Sequence, residues 1–340
     1  MKKIIFSAMA LFALASCAKQ ESPAPASGEG DAVNITFVPQ ENTLRSRAFF
    51  DPSATTESWE KTLNAITVLV FDQGGGLIVQ RNFTASEVAG KKATFSLPRS
   101  AAGTSCEFYA VANRAVTGIS NKTGLLALIE SSADEYNGTF TKVSTEAGRS
   151  GGFVMSGSAT KTVAAAGTST DVTISLKRAV AKIAVQSSLS EEFSQKYPGK
   201  IRINSTAISR AASQTPLIAP QEAVPGTMDY TFTQTPGQEA DKYNNLFYLF
   251  ENGPLDAGSR VLLTLEGTYD RDGDFGTEDD QQEVTYEVEL DGAGNNGQIN
   301  RNGYYRLAVT LNGLTGADIN ASITVEDWAV PVTQEIILGQ

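Results

Sequence analysis

Histidine does not occur in the 340 residues of this chain. Its absence removes the Ser-His-Asp and Cys-His catalytic arrangements, the His-containing zinc sites and the commonest general base near neutral pH. Cysteine occurs only twice, as Cys17 and Cys106. If Cys17 is modified, as its surroundings suggest, Cys106 has no partner and no internal disulfide is expected. Cys106 stands in the strand-like run Cys106-Glu-Phe-Tyr-Ala-Val-Ala112, where a buried small hydrophobe is expected rather than a reactive thiol. Positive charge is scarce. Lys and Arg total 27 against 38 for Asp and Glu, a net charge of -11. Such a surface argues against binding nucleic acid, or an anionic membrane, through charge. Beyond the first residues no run is long and apolar enough for a transmembrane helix. Carboxylate pairs such as Glu191-Glu192 and Asp279-Asp280 are adjacent in sequence, so their members do not face one substrate. No enzyme, cofactor or catalytic residue is expected.

What is present points elsewhere. Apolar residues make up 41% and charged residues 19%, the balance of a globular chain, and the length suits two domains. The leader starts Met1-Lys-Lys, continues with an apolar run over 4–15, and ends Leu14-Ala-Ser-Cys17. The run is too short to span a bilayer and has the charge-then-apolar layout of a secretory signal. The residues before Cys17 resemble a bacterial lipobox, which is cut before the Cys so that its thiol carries lipid. Residues 1–16 are then a signal peptide and Cys17 the lipidation site. The alternative is an ordinary signal with a chance Cys. Residues 18–32 are rich in Ser, Pro, Ala, Gly and Glu and read as a flexible tether.

After the tether, short strands dominate. Val33, Ile35 and Phe37 alternate with polar Asn34 and Thr36, the pattern of a half-buried strand. A polar segment with Arg45 and Arg47 follows. Strand signals recur at 65–71, 77–79, 93–97 and 170–176, and in a second series at 179–185, 200–203, 246–250, 260–265, 284–290 and 304–311. Thr123 to Ser132 is the best helix candidate of the first half, with Thr123 as N-cap and Leu125, Leu126, Leu128 and Ile129 on one face. The pattern predicts an all-β chain of two β-sandwich domains with few short helices, divided near Lys177-Arg178. At the end, Ile319, Ala321, Ile323 and Val325 alternate with polar residues. Trp328, Val330, Val332, Ile336 and Leu338 then follow at strand-compatible spacing. So apolar a terminus needs a groove to fill.

Several stretches together resemble the Bacteroidales-type fimbrillins, the type V pilins that include major and minor fimbrial subunits. They are Leu14-Ala-Ser-Cys17, Ile66-Thr-Val-Leu-Val-Phe-Asp72, Phe108-Tyr-Ala-Val-Ala-Asn113, Phe153-Val-Met-Ser-Gly157, Leu176-Lys-Arg-Ala-Val-Ala-Lys-Ile183, Phe247-Tyr-Leu-Phe-Glu-Asn252, Ile299-Asn-Arg-Asn-Gly-Tyr-Tyr305 and Ile323-Thr-Val-Glu-Asp-Trp328. Each is weak alone; their order along almost the whole chain makes the match specific. Gly303 departs from the usual pattern, which has His there.

The resemblance implies two transthyretin-like β-sandwich domains, over 48–177 and 178–340, and an export route. The lipidated precursor reaches the cell outer membrane. An arginine-specific protease then removes the lipid, the tether and the first strand, residues 17–47, and the subunit joins an extracellular fimbrium supporting adhesion. Arg47 is the preferred cleavage site and Arg45 the alternative; two solvated linker arginines are the plain reading. Loss of Val33, Ile35 and Phe37 opens a groove. The C-terminal segment 319–340 of another copy then supplies a donor strand, with Val330, Val332, Ile336 and Leu338 as its knobs. Expected partners are other copies of the chain, accessory fimbrial subunits, the protease, the outer membrane through the precursor's lipid, and a host receptor or glycan. A removable first strand together with a donor tail favours a shaft subunit. The competing reading is an uncleaved surface lipoprotein that anchors a fimbria or binds glycan.

One segment invites a metal. Asp270, Asp272 and Asp274 alternate as in calcium loops, but the sixth and twelfth places hold Phe275 and Gln281 where an EF-hand needs Gly and Glu. A solvated hairpin loop is the expected reading and no metal site is assigned.

Overall fold

The computed structural model describes residues 30–39, 59–137, 151–165, 168–219, 228–239, 241–292, 294–316 and 319–327. Among them the chain is an all-β sandwich protein, as its alternation predicts. The first half contains β1 (Gly30–Pro39), β2 (Ile66–Phe71), β3 (Leu77–Asn82), β4 (Lys92–Pro98), β5 (Ser105–Ala112), β6 (Ile129–Glu130), β7 (Met155–Thr162) and β8 (Thr170–Arg178). The second contains β9 (Val180–Leu189), β10 (Lys200–Ala211), β11 (Thr215–Pro216), β12 (Tyr230–Gln234), β13 (Gly237–Glu239) and β14 (Lys242–Phe250). It ends with β15 (Leu262–Asp270), β16 (Gln281–Glu289), β17 (Gly303–Leu311) and β18 (Ile319–Asp327). Short helices α1 (Ala85–Gly90), α2 (Lys122–Leu126) and α3 (Glu191–Lys196) connect strands.

Seven strands of the first half form the series β3-β2-β5-β7-β8-β1-β4. β7 pairs with β8 through Met155 opposite Arg178 and Ser156 opposite Lys177. Gly157 permits the close approach of the two strands: a Cβ on it would lie 2.1 Å from the Ser175 carbonyl oxygen. The second half has two sheets, β12-β10-β15-β16 and β13-β14-β9-β17-β18. Alternation is clean where one face packs inward. In β4, Ala93, Phe95 and Leu97 are buried; in β8, Val172, Ile174 and Leu176 are. β2 is buried along its whole length, which explains why it is apolar except for Thr67, whose hydroxyl donates to Asn82 Oδ1. Cys106 is fully buried, a packing residue as expected.

Two differences from the sequence expectation have local causes. The helix read over 123–132 is only α2, capped by Asn121, whose Oδ1 accepts from the Gly124 amide at 2.8 Å, and not by Thr123. Beyond it, Ile129 and Glu130 form β6 and pair with Pro216 and Thr215 of β11. Tertiary pairing thus overrides the helical spacing of Leu125, Leu128 and Ile129. At Gly303, an added Cβ would lie 2.9 Å from the Asn300 oxygen and 2.8 Å from the Tyr305 ring, so close packing explains the glycine. Among the described residues no helix is long and apolar enough to cross a membrane.

Candidate assembly interface

The strand expected to be removable, β1, lies inside its sheet. It runs antiparallel to β4, with Val33 opposite Phe95 and Ile35 opposite Ala93. On its other side it runs parallel to β8, with Ile35 opposite Val172 and Phe37 opposite Ile174. β4 is the last strand of the series, and among the described residues β1 is its only strand partner. Taking β1 away would therefore leave two open edges and a slot between them, next to the buried side chains of Phe95, Leu97, Val172, Ile174 and Leu176.

The slot ends where the halves meet. Pro39 is opposite Leu176, and two residues further on Arg178 donates its Nε–H to the Glu60 carbonyl at 2.8 Å. Glu60 belongs to a 3-10 turn, Trp59–Lys61, and is fully buried. Its Oε1 accepts from Lys182 Nζ and from the Tyr248 hydroxyl, each at 2.7 Å. Burial, and then the Glu60 carboxylate, push the Tyr248 hydroxyl well above its ordinary pKa, so it stays a donor. Arg178 also donates to Asn302 Oδ1 at 3.0 Å. Asn137 pairs with the Tyr248 backbone in both directions, at 2.6 and 2.7 Å. Arg301 donates to Thr215, Pro216 and Glu251, and Ser156 Oγ donates to the Leu217 carbonyl at 2.7 Å. The chain on the far side of residues 40–58 is thus fixed to both halves.

The expected donor segment divides. Residues 319–327 are β18, paired antiparallel with β17 at the edge of a five-stranded sheet, and so already serve their own chain. Val330, Val332, Ile336 and Leu338 lie outside the described residues, as do Cys17, Arg45 and Arg47.

The acidic loop between β15 and β16 is a hairpin connection, as expected. Carboxylate oxygens of Asp270, Asp272 and Asp280 lie within 4.8 Å of one another; Asp274 is not among them. It accepts from the Gly276 amide at 3.0 Å instead. Burial raises the Asp270 pKa, but hydrogen bonds from Gln281, Asp272 and Gly273 outweigh it and hold the group below the ordinary range. The Asp274 amide lowers the Asp272 pKa, but the Asp270 contact, burial and Asp280 together raise it. The loop's geometry is accounted for by turn hydrogen bonds, with no metal invoked.

Sequence reasoning missed the buried polar cluster at the waist. One signal was present: Lys182 interrupts the apolar run 179–185. Glu60 gave none, since Tyr248 is 188 residues away.

Comparison with known proteins agrees with this architecture. The chain is similar to a putative cell adhesion protein from Bacteroides eggerthii, with 18% identity over 88% of this chain and 97% of that one, at a TM-score of 0.57. It is similar to a fimbrilin (fimA) from Porphyromonas gingivalis, with 16% identity over 90% and 99%, at 0.59. It is also similar to the tip fimbrial protein Mfa3 of Porphyromonas gingivalis, in a C-terminally truncated form, with 15% identity over 88% and 100%, at 0.55. At these identities the likeness is one of fold. No curated protein sequence matches the chain. The profile of the fimbrillin-A associated anchor proteins Mfa1 and Mfa2 matches residues 27–333. That span covers nearly the whole chain, including β1 and both sets of sheets, so the chain belongs to this family of cell-surface fimbrial proteins, which are structural and not enzymes.

Proposed function

We propose that the chain is a fimbrial subunit exported as a lipoprotein, freed by cleavage after Arg47 or Arg45, and polymerised by strand insertion. The observation that carries this reading is the position of β1, flanked on both edges and followed by a chain that is anchored again at Glu60. A cut between 40 and 58 separates β1 from everything the Glu60 cluster holds. The slot it vacates borders apolar side chains each worth about 1.5–3 kcal/mol when fully buried. Its two edges present unpaired backbone groups, the condition for adding a strand from another chain.

The donor is residues 328–340 of a second copy, because 319–327 are occupied as β18. Donor and acceptor surfaces differ, so the contact does not close on itself and repeating it yields a filament. Before cleavage β1 fills the slot and blocks assembly. Two domains divided near Lys177-Arg178 fit the change of sheet between β8 and β9.

A second reading follows from the family description, which names anchor proteins. An anchor keeps its lipid at Cys17 and its first strand. N-terminal sequencing of the surface protein separates the two. The subunit reading requires a mature start at Ala48 or Ser46. A lipid-blocked Cys17 on every surface copy would leave only the anchor. Replacing both Arg45 and Arg47 by Ala should stop processing, and unchanged processing would remove both as cleavage sites.

A further inference from the structure

A cavity of about 530 Å³ opens in the second half, away from β1 and the waist. Four elements converge on it: α3, the start of β10, the turn between β13 and β14, and the loop after β15. Tyr243 and Ile201 lie at its base, with the Tyr243 hydroxyl donating to the Ile201 carbonyl at 2.9 Å.

Both signs of charge line it. Arg202 is exposed, yet its guanidinium is held twice. Its Cζ lies 4.5 Å from the centre of the Phe275 ring, and its Nε–H donates to Asn204 Oδ1 at 3.1 Å. Its two terminal amino groups reach no acceptor among the described residues. Lys200 is two residues earlier on the same face of β10 and also lines the cavity. Opposite charges, Glu191 and Asp241, line it too. Among the described residues neither they nor Lys200 form an ion pair.

We propose that this cavity binds a carboxylate-bearing sugar residue of a glycan, its carboxylate on Arg202 and Lys200 and its hydroxyls on Glu191 and Asp241. A guanidinium whose terminal amino groups are left unbonded matches a carboxylate through two parallel hydrogen bonds. Carboxylate side chains accept from sugar hydroxyls and repel a ligand carrying many negative charges. That asymmetry favours a sugar with one acidic group over an acidic peptide. The volume lies in the range of small-ligand sites. The site is independent of the assembly reading, since no residue lining it belongs to β1, β4 or β8.

Isothermal titration of the full chain with glucuronic acid, N-acetylneuraminic acid, glucose and an acetylated Asp-Glu peptide tests the proposal. One of the acidic sugars should bind at least about tenfold more tightly than glucose, and Arg202→Gln should weaken it by about 10–100-fold. Lys200→Gln should weaken it less. Circular dichroism of each variant should match the parent, as both positions are exposed. Binding of neither acidic sugar more tightly than glucose, binding of the peptide alone, or an Arg202→Gln chain that binds as the parent does would each overturn it.

Discussion

Glu60 carries a carboxylate into the protein's interior and Lys182 carries the matching ammonium; both are essentially without solvent exposure. Such a pair is tolerable only because hydrogen bonds complete it, here from Tyr248. Removing one partner strands the other charge. Glu60→Gln is therefore expected to destabilise the chain by about 3–5 kcal/mol in urea unfolding, and Lys182→Met by a similar amount. The double substitution should recover much of the loss, as a double-mutant cycle would show. At the other end of the second half, Asp272 has a raised pKa, so its contribution to stability is complete below the unfolded value and lost as pH rises through the folded one. Asp272→Asn should thus raise the urea midpoint at pH 7, and the gain should shrink toward pH 4. At this scale little was legible. Sequence shows that Lys182 interrupts an apolar run, but not which distant carboxylate answers it.

At the scale of elements much more was legible, because alternation is a local signal. β4 and β8 each show it residue by residue. β7 does not: Met-Ser-Gly-Ser-Ala-Thr-Lys-Thr has few apolar residues, and pairing with β5 makes it a strand. β6 was misread as helix for the same reason, a partner supplied from the other half. β4 gives the sharpest prediction. In a chain beginning at Ala48, β4 has no strand neighbour among the described residues, so amides over 92–97 should lose protection from hydrogen exchange. Those of β2 and β5, which pair with each other, should keep theirs. Equal protection of β4 with and without β1 would show that side-chain packing alone holds it.

At the scale of the whole molecule, the alternating first strand and the apolar tail were both legible in sequence, but their settings were not. The central position of β1 and the use of 319–327 as an edge strand depend on register between distant segments. Deleting residues 328–340 should leave unfolding of the monomer unchanged and abolish filaments seen by electron microscopy. Filaments of normal length from that deletion would exclude the tail as donor. The single partnership of β4 has a last consequence. Its amides should exchange slowly in the precursor, quickly in a cut and vacant subunit, and slowly again once a neighbour's strand is seated. The same few residues form an intrinsic occupancy gauge, which would count unfilled seats along a growing fibre without any label.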